Sequence, residues 1–458
     1  MPDTIAAIAT GAMISAIGII RLSGDDAIKI ANCVFRPRGC KDLTNAEDRK
    51  LYYGTLLDAE GNPIDLCLCT ISRGPGSYTG ENTAEFQCHG SPVVLAEGLR
   101  ALFAAGARQA GPGEFTKRAF LHGRMDLSQA EAVIDLIDAE TTAAPRNALG
   151  QLDGAIAGKI AVIYDGLVDI MAHFHAVIDY PDEDIDPFEL QNYADSLDAA
   201  YNTLDRLHRT FARGKILKDG IRSAIIGRPN TGKSSLLNAL LGYERAIVTD
   251  IAGTTRDTIE EKLKLGGVLL RLADTAGIHD TADTVEKLGV ERSIAAVETA
   301  ELVLAVFDGS QPLTDEDRQV IAAAKAAPRS IAVINKSDLP PAIDPDALRA
   351  DFDHICILSA KDGTGIDALA ERTAALFRDG DDTPAAAGEI LTNARHADAV
   401  LRAMNAIDST RRSMAAGMTP DAVLTDVETA LDVLGEINGQ TLRDDIVSRI
   451  FERFCVGK

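Results

Sequence analysis

Between residue 1 and about residue 120, apolar positions come in short runs broken by Gly, Pro, Asn and Asp. Ile5–Thr10, Ile17–Leu22, Leu51–Leu57, Leu66–Ser72 and Thr83–Cys88 read as strands, and the Ala/Leu-rich Leu95–Ala105 reads as a helix, giving an α+β segment. From Met125 the period changes: Leu127, Ala130, Ile134 and Ile137 recur at helical spacing, and Pro145 is expected to end or kink that helix. Leu149–Ile178 and Tyr193–Ala212 predict two more helices, separated by a solvated acidic connection, Asp179–Asp184.

At Ile221 the pattern changes again. Ile221–Ile226 is a short buried strand, followed by strand-like runs at Glu260–Leu265, Val268–Ala273, Leu302–Phe307, Ile331–Ile334 and Ile355–Leu358 with helical stretches between them. That alternation predicts a mainly parallel sheet covered on both faces. Gly266-Gly267 reads as a hairpin turn, so one edge strand is expected to be antiparallel. Residues 379–388 read as a linker, and Asp398–Met414, Thr419–Ile437 and Thr441–Phe454 return to helical spacing. Two all-α stretches therefore bracket an α/β unit. The expected fold class is multidomain α/β. It divides into an α+β segment (1–120), a first helical segment (121–217), an inserted α/β domain (218–379) and a second helical segment (380–458), the two helical segments forming one domain.

Composition narrows the partners. The formal net charge of −23 argues against a general nucleic-acid-coating protein, since phosphate contacts need Lys and Arg; one local basic face or a partner protein remains compatible with it. The seven cysteines are scattered, Cys67-Leu68-Cys69 is too tight for a typical zinc pair, and no second His-containing cluster completes a tetrahedral set, so reduced cytosolic thiols are expected. His173 and His175, on the long helix, lack a third ligand at metal spacing. The apolar start, Ile5–Ile20, lacks a basic n-region and is broken by Gly11 and Gly18, as between strands; a cytoplasmic protein is expected.

The chemistry starts at Gly227-Arg228-Pro229-Asn230-Thr231-Gly232-Lys233-Ser234, which fits G-x-x-x-x-G-K-[ST] between a strand and a helix that opens on Ser235. The glycines let the loop curl so that its N–H groups face phosphate oxygens, and the helix N-terminus adds partial positive charge. Lys233 reaches the outer phosphates and Ser234 binds Mg2+. Gly253-Thr254-Thr255-Arg256-Asp257, following Thr249-Asp250-Ile251-Ala252, then supplies a threonine for Mg2+ and the γ-phosphate, and Asp274-Thr275-Ala276-Gly277 sits at a strand end. These two loops suit ordering by a triphosphate and release after hydrolysis. In Asn335-Lys336-Ser337-Asp338, the Asp338 carboxylate accepts from the guanine amino and ring N–H groups, which adenine does not present, and Ser359-Ala360-Lys361 closes over the base. Four such segments in order after a phosphate loop specify a Ras-like GTP-binding domain.

Hydrolysis needs a group that orients water. Ile278 stands where Ras-like switches carry glutamine, with Asp280, Asp283 and Glu286 just downstream. Asn230 offers a carbonyl oxygen for a monovalent cation beside the phosphates, in the charge-neutralising place of an arginine finger.

End to end, the chain resembles the MnmE (TrmE) tRNA-modification GTPases. The resemblance is carried by Ile19-Ile20-Arg21-Leu22-Ser23-Gly24, Tyr78-Thr79-Gly80-Glu81, Gln87-Cys88-His89-Gly90, Pro112-Gly113-Glu114-Phe115, the 126–132 segment, the Gly227–Ser235 and Thr249–Asp257 loops, and Phe454-Cys455-Val456-Gly457-Lys458. It implies a homodimer joined through N-terminal domains and a site there for 5-formyl-tetrahydrofolate or a related folate. Arg21, Glu85, Arg124 and Lys458 carry over to that site; Arg124 stands where many members have lysine. It implies K+ held by Asn230, Thr249, Ile251 and Thr254, Mg2+ on Ser234 and Thr255, and Glu286 orienting water, with Lys233 and Thr255 completing the catalytic set. His279 stands where an arginine is common. The implied function is GTP hydrolysis driving addition of a carboxymethylaminomethyl or aminomethyl group to C5 of the wobble uridine of certain tRNAs. The work is shared with an FAD-dependent MnmG/GidA-type partner that carries FAD and NADH, in a heterotetramer. Cys455 is expected to be structural, near the folate site, rather than prenylated. Two rival readings are a ribosome-assembly GTPase switch and a stand-alone folate-dependent aminomethyltransferase. The acidic chain lacks the basic RNA-binding domain usual in the first.

Overall fold

The computed structural model describes residues 3–11, 13–179, 187–243, 261–272, 297–377 and 386–458. The chain opens with strands β1 (Ile5–Ile8) and β2 (Ser15–Ser23), helix α1 (Ala27–Val34), and strands β3 (Phe35–Pro37), β4 (Tyr52–Leu57), β5 (Pro63–Ser72) and β6 (Thr83–Gly90). Helix α2 (Pro92–Ala104), strand β7 (Arg108–Gln109) and helix α3 (Glu114–Leu121) follow. The strands form one sheet in the order β3-β4-β5-β6-β2-β1-β7, antiparallel except for the β1–β7 pair. Ile20, Leu22, Leu56, Phe86, Leu95 and Leu102 are fully or almost fully buried in the core that α1 and α2 share with the sheet. A smaller cluster of Ile5, Ala7, Ala110 and Phe115 packs separately. Helix α1 is an element the apolar runs did not suggest, although Ala27, Ala31 and Val34 carry helical spacing and are buried.

Helices α4 (Leu127–Ile137), α5 (Ala144–Leu152), α6 (Ala155–Asp179), α7 (Pro187–Arg209) and α8 (Phe211–Asp219) come next. Three expectations change here. Pro145 is the second residue of α5, not the end of α4; a missing N–H costs nothing in a first helical turn. The single helix expected over Leu149–Ile178 is broken between Leu152 and Ala155, where Gly154 takes φ +90. The helix expected over Tyr193–Ala212 ends at Arg209, and α8 starts two residues later.

Strand β8 (Ile221–Ile226) and helix α9 (Lys233–Tyr243) begin the α/β unit, followed by β9 (Glu261–Leu265), β10 (Val268–Leu272), β11 (Leu302–Asp308), α10 (Asp315–Ala324), β12 (Ser330–Asn335), β13 (Ile355–Ile357) and α11 (Ile366–Leu376). The sheet order is β13-β12-β11-β8-β10-β9, parallel except for the expected β9–β10 hairpin at the edge. Strand β11 is buried throughout, and Leu302, Leu304 and Val306 feed one core while Val303, Ala305 and Phe307 feed another. Such a continuous apolar run is what burial on both faces requires.

The chain ends with α12 (Ala394–Ala415), α13 (Pro420–Asn438) and α14 (Asp444–Phe451). Helices α6 and α13 pack together, the first burying Ile156, Ile160, Ile163, Leu167, Ile170 and Phe174 at three- and four-residue intervals. Each such side chain contributes about 1.5–3 kcal/mol. Helix α14 joins α4 through Leu127, Val133, Val447, Phe451 and Phe454. The chain divides into two compact units: residues 1–134, 151–202 and 399–458, and residues 135–150 and 203–398. No described helix is long and apolar enough to cross a membrane.

Candidate active site

The phosphate loop leaves the carboxyl end of β8 and enters α9 at Lys233. Both neighbours of β8, strands β10 and β11, run parallel to it, so the loop opens where α/β sheets bind ligands. Gly232 takes φ +93, and a Cβ there would lie 2.3 Å from Asn335 Nδ2, so only glycine lets the two segments meet. Asn335 Nδ2 donates to Thr231 O at 2.9 Å, while its Oδ1 accepts from Ala360 N at 3.0 Å. One amide thus ties the phosphate loop to both base-side segments. Lys336, in the left-handed region at φ 66, donates from Nζ to Asn230 O at 2.8 Å and to Asp308 Oδ2 at 2.7 Å. Burial alone would raise the Asp308 pKa, but Lys336 and Ser310 outweigh it and hold the carboxyl below its ordinary range.

Lys233 Nζ donates to Gly227 O at 2.8 Å and Arg228 O at 2.9 Å, and burial pushes its pKa down. A half-buried cation held by two neutral carbonyls gains most from an incoming anion. The loop therefore fits a phosphate chain. Thr231 is buried, with its hydroxyl donating to Arg228 O at 3.0 Å. Ser234 and Ser235 lie in the first turn of α9. On the base side, Ser337 N donates to Leu358 O at 3.1 Å. Asp338 Oδ1 accepts from Ser359 Oγ at 3.0 Å, and Lys361 Nζ lies 3.9 Å from Asp338 Oδ2. Thr249, Asp250, Ile251, Ala252, Gly253, Thr254, Thr255, Asp274, Thr275, Ala276, Gly277 and Glu286 lie outside the described residues.

Sequence reasoning missed two supports. Asp308 closes β11 and anchors Lys336; its signal was Asp308-Gly309-Ser310 at the end of a buried strand. Arg228, inside the loop, reaches Gln311 Oε1 at 2.8 Å and Asp317 Oδ2 at 3.2 Å. Asp317 also closes the capping box of α10 with Thr314, so the loop is braced against a helix start.

A second cluster lies on the N-terminal sheet. Register places Arg21 on β2 directly opposite Glu85 on β6, with Nε 2.6 Å from Oε1. The Arg21 guanidinium lies 5.8 Å from the Phe115 ring centre and 6.0 Å from that of Tyr78. Tyr78 Oη is 3.0 Å from Thr116 Oγ1. Arg124 is exposed and lies beside Gly80. Lys458 follows Gly457, which takes φ +99 and whose Cβ would lie 2.5 Å from Ile8 O, while Val456 bridges to Pro112. The structure brings Arg21 and Glu85 together; neither Arg124 nor Lys458 bonds to that pair among the described residues. Next to the pair, Ser23 Oγ donates to Glu81 Oε2 at 2.7 Å, and Arg118 joins Glu81 at 3.0 Å and Glu114 at 3.0 Å. Arg108 also binds Glu114, and Asp3 joins both arginines.

The parallel sheet, the phosphate loop and the Asn-Lys-Ser-Asp segment define a P-loop GTPase. The pattern of the MnmE helical domain matches residues 127–455, and that of the GTP-binding protein TrmE N-terminus matches residues 4–124. The tRNA modification GTPases MnmE of Thermoanaerobacter pseudethanolicus and Lacticaseibacillus paracasei are each 43% identical over 100% of this chain and cover 99% and 98% of their own lengths. That of Roseiflexus is also 43% identical over 100% of this chain and 99% of its own. A solved structure of Era with MgGDPNP and 16S ribosomal RNA nucleotides aligns over 42% of this chain and 66% of its own, at 24% identity and a TM-score of 0.27, too low to add to the fold. The chain belongs to the MnmE family of tRNA modification GTPases.

Proposed function

We propose that this chain is a potassium-stimulated GTPase that, with an FAD-dependent MnmG/GidA-type partner, drives C5 modification of the wobble uridine of certain tRNAs. The observation that carries the reading is the joining of phosphate and base segments through Asn335 and Lys336, which pre-forms a guanine-nucleotide groove. Lys233 offsets charge on the outer phosphates, and Asp338 selects guanine. Asn230 stands at a bend that favours Asn, with φ 61, and with Thr249, Ile251 and Thr254 it would hold K+. Ser234 and Thr255 hold Mg2+, and Glu286 orients the attacking water. When bound, the two cations supply positive charge where negative charge develops on the γ-phosphate. Arg21, Glu85, Arg124 and Lys458 bind a folate one-carbon donor. The chain divides at residues 120, 217 and 379, pairs as a homodimer and works in the cytoplasm.

The test is GTP turnover by the full chain in potassium against sodium buffer, with Asn230→Gly alongside. Glycine keeps the left-handed backbone and removes the side-chain carbonyl along with the rest of the side chain. Potassium stimulation lost in Asn230→Gly is the expected result. Equal rates in both salts would remove the potassium site and direct the search to an activator that inserts an arginine. The wobble-uridine content of tRNA from a deletion strain tests the substrate independently.

A further inference from the structure

We propose that Asp65, Cys67 and Cys88 form a binding site for a thiophilic divalent cation, Zn2+, on the N-terminal sheet. Neither the spacing along the chain nor the nucleotide chemistry points to it; strand pairing builds it. Leu68 pairs with Gln87 in the antiparallel β5–β6 ladder, which sets Cys67 directly across from Cys88. Cβ atoms of such cross-strand neighbours stand about 4.5–5.5 Å apart. The two sulfurs and one Asp65 carboxylate oxygen all lie within 4.8 Å of one another. Around a tetrahedral Zn2+, with bonds of about 2.3 Å to sulfur and 2.0–2.2 Å to oxygen, donor atoms sit roughly 3.5 Å apart. Small side-chain rotations close that difference without moving the strands.

The carboxylate is already oriented. His89 N donates to Asp65 Oδ2 at 2.9 Å, and His89 Nδ1 lies 2.7 Å from Asp65 Oδ1. Carboxylates that ligate metals are themselves hydrogen-bonded as a rule, which fixes the oxygen that faces the ion. The Asp65 side chain is 9% exposed, while His89 is 74% exposed. His89 lies on the face of β6 opposite Cys88 and steadies the Asp65 carboxylate from that side. Both cysteines are buried free thiols. Cation binding would release their two protons and leave two thiolates and one carboxylate around the 2+ charge. Cys69 is fully buried further along β5 and takes no part. Cys88 and Glu85 point to opposite faces of β6, so the cation would clamp β5 to β6 behind the Arg21–Glu85 pair without entering it.

The experiment uses the full chain, reduced and metal-stripped, titrated with Co2+ as a spectroscopic probe and then with Zn2+. The Mg2+ position beside Ser234 also accepts Co2+, but only a thiolate ligand gives the sulfur-to-cobalt charge-transfer band. The expected result is a band saturating at one Co2+ per chain and displaced by Zn2+. Cys67→Ser and Cys88→Ser abolish it, Asp65→Asn weakens binding at least tenfold, and exposed Cys33→Ser leaves it unchanged. No band on the unmodified chain overturns the site, whatever the folding of the variants. So does a band that survives Cys67→Ser, or mild oxidation that joins Cys67 to Cys88 in a chain that takes up no cobalt when reduced.

Discussion

The phosphate loop and the Arg21–Glu85 cluster are assembled in opposite ways. The first is mostly backbone from one contiguous stretch, with Gly227 O and Arg228 O around Lys233 and left-handed turns at Asn230 and Gly232. The second is side chains from residues 64 apart in sequence, made neighbours by strand register. Backbone-built sites fail when conformation or the key cation is lost. Side-chain sites fail by degrees.

The largest effect is expected at Lys233. Lys233→Ala removes the half-buried cation of the phosphate loop, and single-turnover GTP hydrolysis should fall about 100- to 1,000-fold. A loss below tenfold would mean that the loop does not carry the charge stabilisation. Asp338→Asn comes next: it replaces one acceptor oxygen with a donor, so the preference for GTP over XTP should drop about 100-fold or reverse, read from competition binding. Unchanged preference would put base recognition elsewhere.

The N-terminal cluster should respond to pH instead. Burial would raise the Glu114 pKa, but hydrogen bonds from Arg108, Gly111 N and Arg118 bring it from 4.5 to about 2. A depressed carboxylate contributes stability that is present above its unfolded value and is lost as pH falls through the folded one. Acid unfolding should therefore show a loss on the order of 2 kcal/mol between about pH 4.5 and 2, reduced in Glu114→Gln to the part that Asp3 carries against the same arginines. Chemical denaturation at several pH values measures it. The smallest effect is expected at exposed Arg124. At the proposed folate site, Arg124→Lys keeps the charge and should change folate affinity by no more than about threefold in calorimetry; abolished binding would make the planar guanidinium essential.

The same contrast explains what the sequence made legible. The Gly227–Ser234 loop and the Asn335–Asp338 segment could be read because their chemistry sits in consecutive residues, and the β9–β10 hairpin because Gly266-Gly267 announces it. Lys336 reaching Asn230 and Asp308 could not be read, since it depends on which strand lies beside which. For Arg21 and Glu85 only resemblance offered a guide, since no local spacing links two strands. Pro145 misled because proline stops one helix and starts another equally well, and which it does here depended on Ile137 already having ended α4.

The bridge between Pro112 and Val456, with Gly457 against Ile8, has a consequence for biosynthesis. A ribosome adding about 5–20 residues per second needs roughly 20–70 s to travel from one bridge partner to the other. An N-terminal sheet that folds as it is made, as domains generally do, stands through that interval with its Ile8–Pro112 rim uncovered. The nascent protein must keep that rim from foreign strands while the whole GTPase is being synthesised.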